Sequence, residues 1–183
     1  MTGRHETLVR LDDWLPRPAV RVRHARRAAA GVGAEELWAA ASTVRLGDTP
    51  RLGRLVRWRI PGLSGDLTYR EMFREYPFTV LDDGTHASVS GLCGRIWTLS
   101  RDYPRLAGAE DFTAWDRSGT VRVVFGHWVQ EAEDGRAELV SEARVQPTDR
   151  LAALRLRALW AGFGMFERLI GAEPLTVAVR RAR

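Results

Sequence analysis

The sequence predicts a single α+β domain in which a curved antiparallel sheet wraps around a long amphipathic helix near the C-terminus. Three observations carry this. Residues 120–130 alternate, with Val121, Val123, Phe125, His127 and Val129 on one face and Arg122, Val124, Gly126, Trp128 and Gln130 on the other. The turn Glu133-Asp134-Gly135 then returns the chain through a second alternating run over 136–145, so the two strands form an antiparallel hairpin. Beyond them, Ala152, Leu156, Leu159, Phe163, Phe166 and Ile170 recur at steps of four and three, the spacing that keeps one helical face apolar.

The remaining elements follow in order. Residues 1–18 carry Pro16 and Pro18 with little periodicity and read as an extended arm or a short edge element ahead of the domain proper, 19–183. A half-buried strand is expected over 19–28, with Val20, Val22 and His24 in phase. A helix over 34–44 has Glu35 and Glu36 in its first turn, where the helix dipole favours acid, and a second short helix covers 51–59. Strands are expected over 67–73 and 78–81, a hairpin turn at Asp82-Asp83-Gly84, and one bent or two consecutive strands over 87–99. Residues 101–118 read as loop, with one helical turn at 111–115. The last helix starts at a Thr148 or Asp149 cap and is expected to stop at Gly171, with Pro174 beyond it. Gly162 and Gly164 inside it point to close packing or room for a ligand.

Composition sets limits on function. The 183 residues are long enough to bury a core without disulfides or a structural metal. One cysteine, Cys93, cannot form an internal bridge and is expected as a small core residue. No signal-peptide run and no stretch of membrane-spanning length is evident, so a cytoplasmic location and no stable membrane insertion are expected. The net charge is +5, and all 28 basic residues are arginine. They are dispersed and interleaved with acids rather than gathered on one face, so nucleic-acid binding is not expected.

No zinc, P-loop, redox-dithiol or nucleophile-elbow motif is present, so no metal and no cofactor is expected. The alternation turns His127 inward with Phe125, and His24 falls in phase with Val20 and Val22. These two are the candidate catalytic residues, since histidine titrates near neutrality. Ser141 and Ala143 are small residues on the inward face and leave space under the helix. With Trp97, Phe125, His127, Leu159, Phe163 and Phe166 they make the expected ligand-binding set. Glu142 and Arg144 are expected on the convex, solvated face, paired with Arg122 across the hairpin.

The order of one strand, two short helices, a run of antiparallel strands and a long terminal helix resembles the START-like superfamily, also called SRPBCC and including polyketide cyclase-like proteins. An uncharacterised bacterial subgroup is the nearer resemblance. It is carried by Glu35-Glu36-Leu37-Trp38, by 91–97, by 141–145 with Thr148-Asp149, and by Leu156 to Trp160, within 19–171. The resemblance implies a helix-grip fold with a hydrophobic cavity between sheet and C-terminal helix, and a hydrophobic or aromatic small molecule as partner. It also implies one alternative, a cyclase- or hydrolase-type enzyme. A ligand-free interaction domain is a further alternative, and a monomer or a homodimer through a sheet edge or exposed tryptophans is expected. Gly126-His127 departs from it, because Asn-Phe is expected there, and places a polar ring where relatives have an apolar wall.

Overall fold

Five antiparallel strands build one sheet in the order β1-β5-β4-β3-β2, and its two faces are covered by different parts of the chain. The computed structural model describes residues 10–59, 62–98, 103–163 and 172–183; the side chains at 59, 162 and 163 lie outside that description. The strands are β1 (Val20–Arg27), β2 (Thr79–Gly84), β3 (Ala87–Gly94), β4 (Val121–Glu131) and β5 (Ala137–Pro147). The mixed α+β class agrees with the sequence reading, as does the long β4–β5 hairpin, whose turn places Gly135 at φ 77°.

One face carries Val22, Ala143, Phe125 and Ser90 in one row and His24, Ser141, His127 and Ser88 in the next. Helices α2 (Ala34–Ser42), α3 (Pro50–Arg59), α4 (Tyr69–Met72), α6 (Arg150–Phe163) and α7 (Ala172–Arg181) cover this side. At one end of it, Leu37 and Trp38 of α2 meet Leu175 and Ala178 of α7 over Leu139. At the other end, Leu156 of α6 packs on Leu92, Val121, Val123 and Val145.

The second face is not solvated. The helical turn α1 (Leu11–Trp14) and the short helix α5 (Ala109–Ala114) lie on it, and Leu11, Leu15 and Phe112 are fully buried against Val89, Val124 and Val140. Two glycines make room. A Cβ on Gly91 would stand 2.7 Å from the Phe112 ring, and one on Gly126 would stand 2.9 Å from Leu11 Cδ2. Cys93 is buried on this side, and burial pushes its thiol pKa up to about 12.

Several expected elements differ. Residues 67–73 hold no strand: Thr68 caps α4, accepting from the Glu71 amide at 3.1 Å while the Glu71 carboxylate accepts from the Thr68 amide at 2.9 Å. That reciprocal capping box favours helix over strand. Asp82, Asp83 and Gly84 belong to β2, because a bulge between Val80 and Asp82 shifts the register and moves the hairpin turn to Thr85-His86. β3 ends at Gly94, whose φ of 142° breaks the strand well before residue 99. The arm contains a helical turn instead of an extended segment.

The terminal helix is described as α6, with Asp149 as its cap accepting from the Ala152 amide at 2.7 Å; residues 164–171 lie outside the described residues. A further helix, α7, follows. Pro174 is its third residue and not a terminator, a position where the missing N–H has no intrahelical partner to lose.

Candidate functional site

Five rings form the centre of the helix-covered side. The Phe73 centroid lies 5.0 Å from Tyr69, 4.9 Å from Phe78, 5.0 Å from Phe125 and 4.7 Å from His127. The capping box explains how they meet. It starts α4 at Tyr69, and a helical start puts Tyr69 and Phe73, four apart, on one side. Strand alternation brings Phe125 and His127 up from β4 beneath them.

An apolar cavity of about 180 Å³ opens beside this cluster. Its floor is Leu92 and Phe125 of the sheet, and its walls are Leu52, Leu55 and Val56 of α3 with Tyr69, Met72 and Phe73. Pro77, Phe78 and Tyr103 complete the lining, and among the described residues no charged side chain takes part. Predominantly apolar concave sites of this kind suit hydrophobic ligands.

A second, smaller pocket of about 40 Å³ lies on the other side of Tyr69, which lines both. It is bounded by Trp38, Arg70, Ser88, His127 and Leu139, closed over by Leu175 and Ala178 of α7. The Arg70 guanidinium sits 5.7 Å from the Trp38 ring and donates to Asp83 at 3.1 Å. Tyr69 and Ser141 share a side-chain hydrogen bond, and burial pushes the Tyr69 pKa upward. Burial also pushes the His127 pKa down to about 3 from the ordinary 6.5, because charging a desolvated imidazole is unfavourable. Burial therefore favours the neutral imidazole at this position.

The residues expected at the site divide as follows. Phe125 lines the larger cavity and His127 the smaller, with Ser141 bonded to the Tyr69 they share. Ala143 sits in the row between Val22 and Phe125. His24 is in register with Ser141, one strand further from His127, so the two imidazoles are two strands apart, about 10 Å. Trp97 packs in the α6 cluster with Arg155 5.8 Å from its ring, and neither Trp97 nor Leu159 lines either of these two pockets. The Phe163 side chain and Phe166 lie outside the described residues.

Tyr69, Phe73, Arg70 and the α3 wall were not expected here. The signal for the first two was present in Thr68-x-x-Glu71, which marks a helix start. Glu142 and Arg144 are not on a solvated face. Glu142 is 1% exposed, and Arg144 Nε donates to it at 2.6 Å while Arg144 Nη1 donates to Asp12 at 2.6 Å and to the Leu15 carbonyl at 3.2 Å. Arg122 donates instead to the Thr113 carbonyl, and Glu142 is met from β1 by Arg21 at 2.8 Å and by Arg23 at 3.9 Å.

Among the described residues, no helix is long and apolar enough to cross a membrane, and no group of three or more His, Cys, Asp or Glu side chains is placed to hold a metal. No family model and no curated protein matches the chain. A solved structure of the protein TTHA0849 from Thermus thermophilus is similar over 89% of this chain and 97% of that one, with 13% identity and a TM-score of 0.33.

Proposed function

We propose that this protein is a START-like, helix-grip domain that binds a hydrophobic or aromatic small molecule between its sheet and its helices. One observation carries the reading: the 180 Å³ cavity beside Phe73, Phe78 and Phe125, which no charged side chain lines among the described residues. A core packed to ordinary density leaves few voids larger than a water molecule, so an apolar space of this size is a site rather than a packing defect. The aromatic walls favour a flat ligand, since offset and edge-on ring contacts add to area burial. The order of elements supports the helix-grip assignment, with α2 and α3 following β1, and α6 lying on the same face as the cavity.

Native mass spectrometry of protein purified from cells tests this. A bound small molecule is expected, released on denaturation, and absent from Val56→Trp, whose larger side chain fills the cavity from α3. A ligand-free mass, combined with no uptake of added 2-naphthol or 2-methylnaphthalene, overturns the reading.

A further inference from the structure

We infer that the small pocket beside His127 is a polar subsite, and that it takes a neutral hydroxyl group of a ligand whose apolar body fills the larger cavity. The inference rests on the cavity reading above and adds the chemistry of the ligand. Its basis is three buried polar atoms with no partner among the described residues: His127 Nε2, Arg70 Nε and Ser90 Oγ. His127 and Arg70 both line the small pocket, and Ser90 lies on the same face of the sheet, one row from His127. A buried polar atom left unpaired is unfavourable by about 1–3 kcal/mol, and native proteins rarely leave one without a reason. Three in one neighbourhood, beside a cavity, point to an incoming group.

Size and charge select that group. About 40 Å³ admits a water or one small substituent and excludes a ring. The charge of Arg70 is already met by Asp83, at 3.1 and 3.3 Å. An ionised carboxylate would have to shed its hydration to enter a space of this size while Asp83 already occupies the Arg70 head group, which is unfavourable. A hydroxyl fits each partner. Its oxygen accepts from Arg70 Nε–H, and its proton or lone pair serves His127 Nε2 in either tautomer. Tyr69 lines both spaces and its ring centroid is 5.0 Å from that of His127, so the two spaces are neighbours across one side chain.

Two probes of matched shape test this: 2-naphthol and 2-methylnaphthalene, titrated into the full chain by calorimetry or by competition. The wild type is expected to bind 2-naphthol about tenfold more tightly, the effect of one well-placed buried hydrogen bond. His127→Leu is expected to erase that preference while holding 2-methylnaphthalene affinity within about twofold. Imidazole ¹⁵N shifts in the wild type supply a second measurement that does not depend on the variant folding. His127 Nε2 is expected to move with 2-naphthol and to stay put with 2-methylnaphthalene. Equal wild-type affinities, as when the pocket holds only water, overturn the subsite and leave the cavity standing. So does an equal loss of both probes in His127→Leu, or an unmoved Nε2. Failure of both probes to bind overturns the cavity reading itself.

Discussion

Arg144 ties three segments together at a place where charges are rarely found. Its guanidinium is nearly buried and bridges Glu142 on its own strand, Asp12 of α1 and the Leu15 carbonyl. Removing it leaves Glu142 with only the part-exposed Arg21 and Arg23 as partners. Arg144→Met is therefore expected to destabilise the fold by about 3–5 kcal/mol in urea titration, the usual effect of breaking a buried pair. The double variant Glu142→Leu with Arg144→Met is expected to recover most of that loss, because no buried charge is left unpaired. Neither residue looked buried in the sequence. Their face is sealed by a segment with little periodicity, so nothing local announced its cover. Gly126 and Gly91 carry the matching signal. Both are strand glycines opposite a buried side chain, and Gly91→Ala is expected to cost about 1–3 kcal/mol by overpacking. Gly126→Ala is expected to cost less, since the Leu11 methyls it meets turn more freely than the Phe112 ring.

At the scale of elements, the cavity depends on one helical turn. α4 is four residues long and has little intrinsic stability, so its cap largely decides whether Tyr69 and Phe73 stand together over the sheet. Thr68→Ala is expected to cost about 1 kcal/mol and to weaken probe binding more than an exposed control such as Thr43→Ala. Differential scanning calorimetry and a 2-naphthol titration on the same samples check both parts. The long strands β4 and β5 were legible because period-2 alternation runs through eleven residues in each. α4 was not, because Leu67, Tyr69 and Phe73 alternate well enough to imitate a strand, and only the cap pattern separates the two. α7 was hidden for a related reason: Gly171 and Pro174 read as an end, yet Pro174 lies in a first turn. That turn also places Glu173 against the start of α3, where its carboxylate accepts from the Leu52 amide at 2.9 Å.

For the molecule as a whole, acid is expected to lower stability over two successive pH windows. The unfolded chain takes up a proton on His127 near pH 6.5, while the folded chain resists it until about pH 3. Between those values the unfolded state binds more protons, so stability rises with pH and is lost as pH falls, by at most about 1.4 kcal/mol per pH unit from this group. The carboxylates act lower. Asp149 is held at about 2, first by the Ala152 amide of α6, and Asp12 is lowered first by its hydrogen bond from Arg144. Their folded pKa values lie below the unfolded 3.8, so their stabilisation is present above that value and lost below it. The window from pH 6.5 to about 4.5 thus contains the contribution of His127 but little of the carboxylates'. Urea midpoints measured across that window are expected to fall with acid in the wild type and to flatten in His127→Leu. Retention of the full slope in that variant would mean that the imidazole titrates as freely in the folded chain as in the unfolded one, and the burial on which the hydroxyl subsite rests would be gone.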